Sequence, residues 1–115
     1  MEFCHFRKSS VKDGMDLLSG KWKIHIIGTL LYGGKMRFMD LQREVKGIGA
    51  KMLSKELQDL EANQLLIRTV VSSKPITVEY ELSEFGRSLE PVIDAIAEWG
   101  MKYRSVMMDR EIPHP

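Results

Sequence analysis

A single cysteine, Cys4, stands in 115 residues, and one thiol cannot build an internal disulfide framework. A reducing compartment, the cytoplasm, is therefore expected. No run of about 18 apolar residues is present to span a bilayer, and the start MEFCHFRKSS lacks the apolar core of a secretory signal. Nucleotide and nucleophile motifs are also missing. There is no dinucleotide fingerprint and no G-x-S-x-G elbow, and GMDLLSGKW resembles a phosphate loop only superficially. Five residues separate its glycines where four are needed, and Trp22 stands where Ser or Thr must meet magnesium. His5, His25 and His114 have no evident nucleophile to serve and lack the spacing of metal ligands. No enzyme, cofactor or metal site is expected.

What is present is a hidden charge asymmetry. The net charge is only +1, yet eleven Lys and Arg oppose four Asp and Glu from Arg7 to Lys55, and three oppose nine from Glu56 to Met101. One half carries +7 and the other −6. Chance and solubility produce some splits of this kind, but a basic half this strong makes nucleic acid the expected partner. At this length the chain has room for one domain with a modest core.

The apolar periodicity organises that domain. Residues 1–9 show no clear period and read as an arm, with the domain running over 10–112. Ser10 to Leu18 reads as a short helix with Val11, Met15 and Leu18 on one side. KWKIHIIGTLLYGG repeats Trp22, Ile26 and Leu30 beside Ile27 and Leu31, then stops at Gly33 and Gly34, which marks a central buried helix. RFMDLQREVKG supplies Phe38, Leu41 and Val45 for a third helix of about ten residues. The very short link GIG then forces the next helix to cross it steeply, as in a helix-turn-helix. After Leu66 the period changes to two. IRTVVSS, a turn at Lys74 and Pro75, and TVEYELS form a two-stranded wing. Ser83 can cap a helix directly after the wing, and Leu89, Val92, Ile96, Trp99, Tyr103 and Val106 step by threes and fours along a terminal helix, a seam suited to a partner helix. The expected fold is α+β and mainly helical, a winged helix-turn-helix.

The stretch GIGAKMLSKELQDLE carries the candidate site. At 100° per residue Leu53, Leu57 and Leu60 fall within about 60° of one another, while Lys51, Lys55 and Gln58 lie opposite with Ser54 beside them. A recognition helix presents such a face to the major groove, where Gln reads adenine and Lys serves guanine or phosphate. The competing reading is a solvated face with Lys55 paired to Asp59 at i,i+4, a contact of about 0.2–0.5 kcal/mol. Arg37, at the start of the preceding helix, and Lys74, at the wing tip, are further candidates for the DNA backbone.

Taken in order, LLSGKWK, RFMDLQREVKGI, KMLSKELQDLEANQLLIRTV and VEYELSEFGRSLEPVIDAIAEWG resemble the HxlR-type transcriptional regulators of bacteria over about Ser9 to Trp99. The resemblance implies a homodimeric winged-helix repressor or activator on operator DNA, with its first and last helices building the dimer. The apolar seam of the last helix puts Leu89, Val92, Ile96, Trp99 and Tyr103 forward as the interface residues. The chain also departs from the family pattern. Ser9 stands at the family's usual cysteine, which senses oxidants in several members, so Cys4 is the sole candidate for any redox role. Glu56 stands where the recognition helix often has arginine, and Thr77 where the wing often has a basic residue.

Two other classes stay open. The basic face can dock an acidic protein, or a pocket for a small-molecule effector can be the functional site, with some of the eight methionines lining it. The plainer reading makes most of those methionines gap-fillers in the core.

Overall fold

A computed structural model describes the backbone of residues 2–111 and the side chains of 6–72 and 74–109. The order is α1 (Glu2–Leu18), α2 (Lys23–Gly33), β1 (Met36–Arg37), α3 (Phe38–Glu44), α4 (Ala50–Ala62), β2 (Leu66–Ser73), β3 (Ile76–Leu82), α5 (Glu84–Arg87) and α6 (Glu90–Glu111). Ile26, Ile27 and Leu30 of α2 are buried and meet Leu41 of α3, Leu53, Leu57 and Leu60 of α4, and Tyr80 and Leu82 of β3 in one core. The apolar periods of α2, α3, α4 and β3 thus converge on a single cluster, whereas Val11 and Met15 of α1 stay exposed. Gly34, at a φ of 78°, ends α2 and returns its N–H to the Leu30 carbonyl.

Helices α3 and α4 form the helix-turn-helix. Gly47 turns the chain with a φ of 93°, a backbone region that glycine enters without a Cβ penalty. Ile48 then plugs the turn into the core, and its carbonyl accepts from Gln42 Nε2 at 3.4 Å.

Three elements differ from the sequence reading. α1 begins at Glu2 and not at Ser10, so residues 2–9 continue the helix. They carry no apolar stripe, but Glu, Arg and Lys extend a helix once a following turn has formed. The third helix is seven residues long, because Arg37 joins Met36 in a strand at one end and the helix stops at Glu44, before the turn at 45–47, at the other. That strand makes the sheet three-stranded, in the order β1-β3-β2, with Met36 opposite Tyr80. The methionines, finally, are mostly not core fillers. Met15, Met39, Met101 and Met108 are more than half exposed, and among the described residues Met36 is the methionine that packs against the core cluster.

The hairpin of β2 and β3 pairs from Leu66↔Leu82 to Ser73↔Ile76, leaving Lys74 and Pro75 as the turn. Its base is pinned to the end of α4 by Ser83. That hydroxyl donates to the Gln64 carbonyl at 2.6 Å and accepts the Gly86 N–H at 2.9 Å, capping α5. Gly86 lies so close to the corner that a Cβ there would sit 2.2 Å from the Leu65 carbonyl oxygen, so only glycine fits.

α6 leaves the core after its first turns. Ile93 is buried beside Gly28 of α2, and the Tyr32 hydroxyl donates to the Asp94 carboxylate. Beyond that the helix projects. The radius of gyration is 17.5 Å, well above the value of about 13 Å for a compact chain of this length. No helix among the described residues is long and apolar enough to cross a membrane.

Candidate nucleic-acid interface

The recognition face is built on α4. Burying Leu53, Leu57 and Leu60 leaves Lys51, Lys55 and Gln58 exposed on the far side, with Ser54 half-buried at the edge. None of these four side chains has a partner among the described residues. Gly49, the N-cap, has no side chain to occupy the first amides of α4. Those free N–H groups and the helix dipole add to the positive field around Lys51.

Two of the three acidic residues of α4, Glu56 and Asp59, are drawn toward α2 and leave Lys51 and Lys55 unneutralised, while Glu61 stays exposed in the last turn. Glu56 is 9% exposed, and its Oε2 meets Lys23 Nζ of α2 at 2.8 Å. Asp59 Oδ2 lies 3.6 Å from the same ammonium. Asp59 is therefore engaged with α2, and the i,i+4 pair with Lys55 is not formed. Oε2 takes no partner besides this ion pair among the described residues. The contact with Glu56, and then the charges of Glu56 and Asp59, hold the Lys23 pKa above its ordinary value of 10.5, against the opposing effect of burial.

Arg37 and Lys74 occupy separate places. Arg37, exposed, borders a groove of ≈320 Å³ between α3 and the wing, together with Met39 and Ile76. Lys74 lies at the hairpin tip, about 26 Å from the base at Leu66 at ~3.3 Å per residue. Four candidates therefore share one helix face, while Arg37 stands apart at the start of α3 and Lys74 at the hairpin tip. The thiol of Cys4 lies outside the described side chains, as does the terminal His114.

Along α6, Val92, Ile96, Trp99 and Tyr103 form an exposed stripe, with Trp99 64% exposed and stacked on Tyr103 at 5.6 Å between ring centroids. An open apolar groove runs along its first half, lined by Pro91, Val92, Ala95, Ile96 and Trp99. Leu89 differs from them. It sits half-buried against the chain's own core, because the α5–α6 corner turns it inward.

A helix-turn-helix packed by its apolar face on the core, carrying a three-stranded wing and flanked by terminal helices, defines a winged helix-turn-helix protein. The chain belongs to the HxlR-like helix-turn-helix family, which it matches over residues 17–108. It is 40% identical over 98 residues to the HTH-type transcriptional regulator YdzF of Bacillus subtilis, covering 85% of this chain and 90% of that protein. Among solved structures it is similar to the redox regulator HypR in its reduced form, with a TM-score of 0.79, 37% identity, and coverage of 87% of this chain and 98% of that one. It is also similar to the HTH-type transcriptional regulator YtcD, with a TM-score of 0.76, 40% identity, and coverage of 83% and 96%.

Sequence reasoning missed the role of Glu56. On a helical wheel anchored at Leu53, Glu56 falls about 40° from Leu60 and so on the apolar side. That position is the signal of a buried carboxylate, and the matching cation is Lys23 in KWK.

Proposed function

We propose that this protein is a sequence-specific DNA-binding transcriptional regulator, acting as a homodimer on a palindromic operator and repressing by occupying it. The observation that carries this reading is the unpartnered set Lys51, Ser54, Lys55 and Gln58 on α4, opposite a fully buried leucine face. A merely solvated helix face would let Asp59 neutralise Lys55, whereas here Lys23 draws Asp59 aside. Relatives named as HTH-type transcriptional regulators support the same class.

In this reading the N-terminal turns of α4 enter the major groove. Lys51 and Lys55 hold phosphate or guanine, and Gln58 reads adenine if it reaches a base. Arg37 and Lys74 grip the backbone on either side of the helix. The stripe from Val92 to Tyr103 pairs with a second copy, because an aromatic and aliphatic stripe standing clear of the core needs a cover. Two recognition helices related by a dyad then address two half-sites.

Footprinting on genomic DNA tests this directly. Two protected half-sites are expected, related by a dyad, with centres about 34–36 Å apart along the duplex. Failure to protect any duplex at low salt would transfer the basic face to an acidic protein partner.

A further inference from the structure

A cleft of ≈260 Å³ opens where the end of α2, strand β3 and the α5–α6 corner meet, away from the recognition face. Leu30 and Leu82, 3% and 4% exposed, contribute its apolar floor, and Lys35, Glu81, Arg87 and Glu90 stand around it. Lys35 Nζ and Glu81 Oε2 approach to only 3.8 Å, an ion pair too long for a hydrogen bond. Arg87 and Glu90, three residues apart, make no side-chain hydrogen bond or ion pair among the described residues, the Glu90 charge being felt only by the Tyr32 hydroxyl. The site thus offers a free guanidinium and a free carboxylate above hydrocarbon.

We propose that this cleft binds a small zwitterion of the α-amino-acid class with an apolar side chain. The carboxylate would meet Arg87, whose planar fork matches carboxylate geometry. The ammonium would meet Glu90, and the side chain would lie against Leu31, the half-buried leucine of the lining, above the buried Leu30 and Leu82. The balance of sign selects this class. Two cations and two anions line the cleft, so a simple anion or a simple cation meets repulsion with its attraction, whereas a zwitterion satisfies both. Size agrees as well. At ~30 Å³ per water in the liquid, the volume holds about nine water-sized groups, roughly the number of non-hydrogen atoms in a whole amino acid of leucine size. The proposal does not rest on DNA binding, and its test contains no DNA.

Calorimetric titration of the full chain with L-leucine, L-isoleucine, L-methionine and L-phenylalanine decides it, with 3-methylbutylamine and 4-methylpentanoate as the decarboxylated and deaminated controls. At least one amino acid should bind, and both controls should bind at least about tenfold more weakly, as the loss of a charge-assisted contact implies. Arg87→Gln and Glu90→Gln, both at exposed positions where folding is not at stake, should each lower the affinity of that amino acid about tenfold. No heat from any of the four up to about 10 mM, tenfold beyond a Kd of ~1 mM, would overturn the proposal. So would unchanged affinity in both variants, or a control that binds as tightly as the amino acid.

Discussion

A variant with both Trp99 and Tyr103 replaced by glutamine is expected to sediment as a monomer and to bind operator about 10²–10⁴-fold more weakly than the parent, because a linked second half-site multiplies affinity by that factor. Trp99 and Tyr103 are 64% and 52% exposed and stack on one another, and neither belongs to the core cluster. Their removal should therefore leave the monomer fold and its melting transition intact. Val92 and Ile96, 44% and 49% exposed, extend the same face toward the core, so the lost contact is a continuous stripe and not two isolated rings. Analytical ultracentrifugation of parent and variant reads the first outcome, and a binding titration reads the second. A parent that sediments as a monomer would remove the basis of the dimer.

Lys23→Met is expected to destabilise the fold by about 2 kcal/mol, less than the 3–5 of a fully enclosed pair because the site borders a shallow cleft that admits solvent. The substitution keeps the aliphatic stem and removes the only ion-pair partner of Glu56 among the described residues, which is 9% exposed. Adding Glu56→Leu should recover most of the loss, since removing both charges avoids stranding either one. The pH dependence has a definite sign. The folded pKa of Lys23 lies above 10.5, so its contribution is complete below that value and is lost as the pH rises through the raised folded value. Urea unfolding of the parent should weaken in that alkaline window, and the Lys23→Met/Glu56→Leu protein should lack that part of the decline.

The sequence made the core legible wherever period and burial coincide. Ile26, Ile27 and Leu30, then Leu53, Leu57 and Leu60, are apolar at helical spacing, and the structure buries all six. Tyr80 and Leu82 alternate with polar neighbours and are buried as a strand face. The change of period after Leu66 and the turn at Lys74 and Pro75 located the wing for the same reason. Strand β1 was not legible, because two residues are too few to show a period and the pairing of Met36 with Tyr80 spans 44 positions. The start of α1 was hidden by the lack of an apolar stripe. Leu89 continued the α6 seam in sequence, and only the α5–α6 corner sets it, half-buried, against the core.

The candidate interface was legible as a face but not as an electrostatic arrangement. Lys51, Lys55 and Gln58 were readable from the wheel. The state of Lys55 depended on where Asp59 turns, and that is decided by Lys23 on another helix, at 3.6 Å. The cleft at Arg87 and Glu90 could not be read at all, since its walls come from residues 30 to 90 and meet only through the packing of α2, β3 and α6.

The central claim is that the cationic face of α4 reads DNA, and a salt titration of operator and random duplex with Lys51→Ala, Lys55→Ala and Gln58→Ala tests it most directly. Lys51→Ala should weaken both duplexes alike and reduce the salt slope by roughly one unit, the mark of a lost phosphate contact. Gln58→Ala should leave the slope unchanged and, if the side chain reaches a base, relax preference at one operator position by about 1–3 kcal/mol. Lys55→Ala should follow the first pattern if it holds phosphate and the second if it reads guanine. Affinities and slopes indistinguishable from the parent in all three variants would contradict the claim and leave the face to an acidic protein partner.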